Sequence, residues 1–115
     1  HDGGDEVLKE FAALLKAQVR EHDIALRFGG EEFIVIFPNT DLLGAKAMLL
    51  RVLAEMQKYV WSSLAANEHP TFTAGIAECL DGHLKRALQI ADALLYVGKA
   101  NGRNGVWVEQ HSRSQ

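Results

Sequence analysis

Ile24-Ala-Leu-Arg-Phe28-Gly29-Gly30-Glu31-Glu32-Phe33-Ile-Val-Ile-Phe37 sets two short runs of β-forming residues on either side of a glycine pair. The first run is Ile24 to Phe28. The second lies within Glu31 to Phe37, where Phe33-Ile-Val-Ile-Phe carries the β-formers. Two glycines can both take positive φ without steric cost, so the pattern predicts a β-hairpin with a two-residue primed turn. Two adjacent carboxylates directly after such a turn are poor strand residues and repel one another.

Outward from the hairpin, Asp5 to about Arg20 predicts an amphipathic helix. Val7, Leu8, Phe11, Leu14, Leu15 and Val19 recur at three- and four-residue spacing, with Gly4 and Asp5 as a plausible cap. After Pro38-Asn39, Thr40 can cap a second helix from about Asp41 to Val60, with Leu42, Ala45, Met48, Leu49, Val52, Met56 and Val60 facing inward. Trp61 to Pro70 reads as loop. Thr71 to Glu78 predicts a third strand, and Gly75 within it implies close approach of another backbone or of a ligand. Asp81-Gly82 is a turn. A third helix follows from about His83 to Ala100, with Leu84, Ala87, Leu88, Ala91, Leu94, Leu95 and Gly98 inward, stopped by Gly102. Val106 to Glu109 makes a last strand and His111 to Gln115 a polar tail. The expected fold class is α+β: three flanking helices against a mainly antiparallel sheet of about four strands.

The whole chain has 115 residues, 48% hydrophobic and 23% charged, with a formal net charge of −3. These values fit one folded domain and exclude disordered, collagenous and coiled-coil classes. A domain of this size buries roughly two-thirds of the surface of its unfolded chain. Twelve basic against fifteen acidic residues argue against broad binding to nucleic acid or anionic lipid, so a phosphate ligand must be held by a few placed cations. The single cysteine, Cys79, excludes a disulfide scaffold and a cysteine-built zinc site and fits a reducing cytoplasm. The five histidines show no metal-ligand spacing.

Four places can carry chemistry, and each also has a plain structural explanation. Glu31 and Glu32 offer hard oxygen ligands to a cation such as Mg²⁺, next to glycines that let a nucleotide approach; they can equally be incidental acids at a solvated tip. Lys99 and Arg103 can clamp phosphate or simply complement the negative end of a helix dipole. Arg20 and Asp23 can present a fork donor and an acceptor to one ligand, or pair with each other. Asp5 can cap its helix or contact a ligand. No serine or cysteine nucleophile motif and no Walker-type phosphate loop is present.

Taken together, these segments resemble one family. Arg27-Phe-Gly29-Gly30-Glu31-Glu32-Phe33 matches the signature of the GGDEF family in its GGEEF form. His1-Asp-Gly-Gly-Asp5-Glu-Val-Leu8 is similar to the end of the family's GHxxGDxxL segment, and Phe72-Thr-Ala-Gly75-Ile-Ala to its FTxSxGIA strand. Ala91-Asp-Ala-Leu-Leu-Tyr96-Val-Gly-Lys99-Ala-Asn-Gly-Arg103-Asn104 resembles its ADxALYxAKxxGRN helix. The resemblance spans essentially the whole chain, residues 1–109, followed by the tail at 110–115.

The resemblance implies a diguanylate cyclase domain with a nucleotidyl-cyclase-like palm. Such domains condense two GTP into cyclic di-GMP and two pyrophosphates, one GTP on each of two facing protomers, with Mg²⁺ (or Mn²⁺) as cofactor. It implies Glu31 as metal-bound carboxylate and acceptor of the 3′-hydroxyl proton, with Glu32 assisting at the metal. Gly29 and Gly30 would lie beneath the nucleotide, Asp5 on the guanine base, and Lys99 and Arg103 on the β- and γ-phosphates. Arg20 to Asp23 falls where the family keeps its RxxD inhibitory site, and Arg51 matches that site's second arginine, implying product binding and feedback inhibition. A bacterial cytoplasmic setting without membrane contact by this domain follows. The family's segment before GHxxGD supplies a further strand and helix, including a metal-binding aspartate. Relative to that pattern the sequence predicts a palm lacking its first strand and helix. It should have unpaired sheet edges that invite dimerisation, and in isolation it should be inactive as a cyclase. The alternative is a catalytically inactive module that binds cyclic di-GMP.

Overall fold

The computed structural model describes residues 2–28 and 31–110. The expectations at His1, at Gly29 and Gly30, and for the tail from His111 lie outside them. The element order is α1 (Asp2–Gln18), β1 (Ile24–Arg27), β2 (Phe33–Ile36), α2 (Leu42–Lys58), β3 (Thr73–Ile76), α3 (Leu84–Ala100) and β4 (Gly105–Val108). All seven segments appear where hydrophobic periodicity predicts them, and the α+β class holds. The residues gather in two compact units, His1–Thr40 with Arg51–Pro70, and Asp41–Leu50 with Thr71–Gln115.

In the first unit, β1 and β2 form the antiparallel hairpin, with Ile24 opposite Ile36 and Arg27 opposite Phe33. One more bond, from the Phe28 N–H to the Glu32 carbonyl at 2.7 Å, sets Phe28 opposite Glu32. The antiparallel hairpin is as expected; the turn at Gly29 and Gly30 lies outside the described residues. Helix α1 packs on β1, and the rings of Phe11 and Phe33 meet edge-on with centroids 5.0 Å apart. Leu15 is buried at the centre of the helix's apolar stripe. The helix begins at Asp2, so Asp5 stands inside its first turns and is not the cap. Its N–H-rich end still favours the carboxylates of Asp5 and Glu6 there. The other sheet face, carrying Ile24, Leu26 and Phe28, is exposed.

The stretch following α2 is ordered by two side chains. Trp61 is buried, stacks edge-on against Tyr59, and its Nε1–H donates to the Met56 carbonyl at 3.1 Å. That bond satisfies one of the carbonyls that every helix leaves without an intrahelical partner at its C-terminus. Glu10 of α1 accepts from the Ser62 N–H at 3.1 Å and from the Ser62 hydroxyl. Those bonds from Ser62 hold the Glu10 carboxyl below its ordinary pKa. Because α2 ends at Lys58, Val60 falls beyond it and is 85% exposed instead of facing inward.

The cap of α2 also differs from expectation. The Asp41 carboxylate, not the Thr40 hydroxyl, accepts the Gly44 N–H at 2.8 Å, and the Asp41 carbonyl accepts from Ala45 at 3.0 Å. Aspartate is as good an N-cap as threonine, and the one-residue shift decides which side chain faces the orphan donors. Along α2, Ala45, Met48, Leu49, Val52 and Met56 are buried as their spacing predicts.

In the second unit, β3 and β4 pair in parallel, Thr73 with Gly105 and Ile76 with Val108. The sheet is therefore two separate two-stranded pairs among the described residues, one antiparallel and one parallel, in place of a mainly antiparallel four-strand sheet. A parallel pair needs a crossover, and α3 is that crossover, lying against both strands. Its closeness depends on glycine. A Cβ on Gly75 would overlap the Ala91 carbonyl oxygen and stand 2.8 Å from the Leu95 nitrogen, so the approaching backbone is that of α3. Gly98 does the same against the Trp107 ring, where a Cβ would meet the indole at 2.6 Å. Ala87 and Gly98 are buried, while Leu84 and Leu88, expected inward, are exposed on the first turns of the helix. The Asp81-Gly82 turn is present: both residues have positive φ and the His83 N–H bonds the Leu80 carbonyl at 2.9 Å.

Candidate nucleotide site and the arginine–aspartate pair

The acidic pair sits at the end of the hairpin. Glu31 belongs to the connection and Glu32 to the last ladder position before β2, and both are exposed. The register explains how a strand tolerates them: neither lies within β2, so neither carboxylate has to turn toward a packed face. Exposed carboxylate oxygens are hard donors that suit Mg²⁺ or Mn²⁺. Among the described residues no group of three or more His, Cys, Asp or Glu side chains forms a ready-made cage. Two carboxylates alone are too few to close the shell of a divalent cation, so a cation held there would take its remaining ligands from elsewhere.

Lys99 and Arg103 flank the C-terminus of α3 in the second unit. The helix ends on Asn101, and the Arg103 N–H reaches back to the Gly98 carbonyl at 3.0 Å. With Gly102 at φ +103°, this is the Schellman arrangement that the sequence predicts from its glycine stop. The Asn101 side chain adds a bond to the Val97 carbonyl at 2.7 Å. Arg103 and Asn104 then continue in the left-handed region, at φ 60° and 50°, where side chains other than Gly are uncommon. Their conformation is held by the Asn104 N–H donating to the Thr73 hydroxyl at 3.1 Å. Both cations are exposed. Asp5 is exposed in the first turns of α1.

Arg20 and Asp23 take the paired arrangement. Asp23 Oδ2 accepts the Arg20 backbone N–H at 2.7 Å and Nε at 3.2 Å, while Oδ1 accepts Nη2 at 3.2 Å. The side chains are 52% exposed for Arg20 and 1% for Asp23, so the carboxylate is covered by its partner. Nη2 also donates to the Thr40 hydroxyl. The sequence suggests only a capping role for Thr40, because it lies 20 residues from Arg20 along the chain and no local pattern joins them. Arg51 is exposed on α2 in the same unit.

Burial pushes the Asp23 carboxyl upward, but the bonds and charge of Arg20, helped by His22, outweigh it and leave the pKa below its ordinary 3.8. A depressed folded-state pKa means stability that is present above the unfolded value and lost as pH falls through the folded one. Asp23→Asn should therefore lower the urea midpoint at pH 7 and cost progressively less below pH 3.8. Equal losses at pH 7 and well below that value would show that charge has no part in the pair.

Comparisons with known proteins bear on the family and the fold. The family described as "Diguanylate cyclase, GGDEF domain" matches residues 1–105. The chain belongs to the GGDEF family. It is 39% identical to the response regulator PleD of Caulobacter vibrioides over 92% of its own length and 24% of that protein's. It is 34% identical to diguanylate cyclase A of Treponema denticola, over 97% of this chain and 31% of that one. The chain thus spans 24% and 31% of these relatives' lengths. Among solved structures, the active GGEEF domain of a diguanylate cyclase from Vibrio cholerae superposes with a TM-score of 0.82 at 30% identity, covering 97% of this chain and 72% of that one. The coiled coil and GGDEF domain of DgcB from Caulobacter crescentus, in complex with c-di-GMP, gives 0.78 at 26% identity, covering 95% and 59%. No helix among the described residues is long and apolar enough to cross a membrane.

Proposed function

We propose that this GGDEF domain works as a diguanylate cyclase, and the observation that carries the reading is the exposed Glu31–Glu32 pair at the tip of the hairpin. Two copies face each other, each holding one GTP. The 3′-hydroxyl oxygen of one GTP attacks the α-phosphorus of the other, the bond from that phosphorus to the β-phosphate oxygen breaks, and pyrophosphate leaves. The second attack closes the ring, giving cyclic di-GMP and two pyrophosphates.

Glu31 accepts the hydroxyl proton, and with Glu32 it would hold the divalent cation. When bound, that cation polarises phosphate oxygens and neutralises developing charge. Gly29 and Gly30 lie beneath the nucleotide, and Asp5 bonds the guanine base. Lys99 serves as a point charge and Arg103 as a fork donor on the β- and γ-phosphates. The left-handed backbone at Arg103 supports that assignment, because uncommon conformations at non-glycine residues gather at functional sites. Product returns to Arg20, Asp23 and Arg51 as a feedback inhibitor. GTP as substrate places the activity in the bacterial cytoplasm.

A second reading, a cyclic di-GMP-binding module that leaves GTP untouched, is favoured by the ready-formed Arg20–Asp23 pair. Incubating the chain with GTP and Mg²⁺ and separating the nucleotides by anion exchange decides between them, and with them the expectation that the chain in isolation is inactive. Cyclic di-GMP and pyrophosphate appearing in a one-to-two ratio support the cyclase. Unchanged GTP together with retained cyclic di-GMP binding supports the module.

A further inference from the structure

Thr40 stands at the junction between the hairpin and α2, yet its hydroxyl does nothing for the helix, which Asp41 caps. The hydroxyl instead donates to the Pro38 carbonyl at 3.0 Å. Its one hydrogen being committed there, its oxygen is left to accept from Arg20 Nη2. The guanidinium is thus gripped from two sides, with Nε and Nη2 on the covered Asp23 carboxylate and Nη2 also on Thr40. Of its five N–H donors, three are used. Among the described residues Nη1 has no hydrogen-bond partner, and Arg20 is half exposed.

We propose that Thr40 is a positioning residue for an anionic ligand of Arg20. It fixes the plane of the guanidinium so that Nη1, with both its hydrogens, is presented to a phosphate oxygen of cyclic di-GMP. This inference rests on the reading of Arg20 as part of a product-binding site. An arginine on a surface carries large rotamer entropy, and a ligand must otherwise immobilise it on binding. The Asp23 bonds hold the guanidinium within its own turn; the Thr40 bond ties it to a second segment, 20 residues away along the chain.

The test is calorimetric titration of cyclic di-GMP into the wild-type chain, Arg20→Ala, Thr40→Val and Thr40→Ser, with thermal unfolding of each. Arg20→Ala should abolish measurable binding. Thr40→Val keeps the shape and loses the hydroxyl, and should weaken binding about fivefold, the value of one hydrogen bond. Thr40→Ser should restore it to within about twofold by the same reckoning. A merely structural role would move the unfolding temperature together with the affinity, whereas a positioning role moves the affinity with the unfolding temperature nearly unchanged. Rotation about the Arg20 Nε–Cζ bond, followed by nitrogen NMR, should be slow in the wild type and Thr40→Ser and fast in Thr40→Val. If Thr40→Val fails to fold, Thr40→Ala serves in the same comparison. Affinity equal to or tighter than wild type in Thr40→Val, while Arg20→Ala loses binding, overturns the role of Thr40 and leaves the Arg20 site standing. Failure of Thr40→Ser to recover binding also overturns it. Equal affinity in Arg20→Ala removes both.

Discussion

Replacing Gly75 by valine is expected to destabilise the second unit strongly. A Cβ at that position overlaps the Ala91 carbonyl oxygen and lies 2.8 Å from the Leu95 nitrogen and 3.1 Å from the Ala91 carbon. All three are backbone atoms of α3, so no change of rotamer relieves the clash; the helix must move off the strand. That movement would open the contacts of α3 with both β3 and β4, including the Trp107 ring lodged against Gly98. Overpacking typically costs about 1–3 kcal/mol, and a clash with backbone on both sides belongs at or above the upper end. At 4–8 °C per kcal/mol, the melting temperature should fall by roughly 10–20 °C. Trp107 fluorescence in a Trp61→Phe background reports the loss, since the chain has only two tryptophans. Gly4→Ala is the control. Nothing lies within 4 Å of its Cβ and its backbone is helical, so it should stabilise by about 0.5–1 kcal/mol. A valine at 75 as stable as the wild type would mean that α3 and β3 do not approach as described.

Glu31→Gln is expected to remove catalysis while leaving the fold intact. Glutamine has nearly the same shape, but it cannot take a proton from a 3′-hydroxyl and it is a weak ligand for a hard cation. General-base contributions alone amount to about 10²–10⁴-fold, and loss of the cation's anchor adds to that. Formation of cyclic di-GMP from GTP should therefore drop at least about a thousandfold on those grounds. Because Glu31 is exposed and lies in the connection rather than in β2, its replacement should change stability by less than about 0.5 kcal/mol. Binding of cyclic di-GMP through Arg20 should persist. Turnover within a few-fold of wild type would take Glu31 out of the reaction and move the role of base elsewhere.

What the sequence reveals here depends on whether the deciding interaction is local. The stripe of Leu15 on α1 and of Val52 and Met56 on α2 follows helical period, and burial matches it. Gly75 is legible because a glycine inside a β-run has few explanations, and the structure identifies the neighbour as α3. The parallel pairing of β3 with β4 is not legible, since it joins residues more than 30 apart and nothing in either short run encodes direction. Thr40 and Asp41 are both good caps, and only the path of the chain decides between them. In the site, the three-residue spacing of Arg20 and Asp23 already allows their pairing, but the tie to Thr40 arises from a contact that no local pattern announces.

The left-handed backbone at Arg103 has one more consequence. A position at φ 60° suits glycine or asparagine, and any other L-residue there gives up roughly 1–2 kcal/mol. The fold and the ligand thus make opposing demands on one codon. Arg103→Gly would firm the helix terminus while erasing a cation, so a selection for thermal endurance alone would drift toward glycine at 103 and silence the site. On the proposed reading, arginine at that place serves the phosphate rather than the backbone.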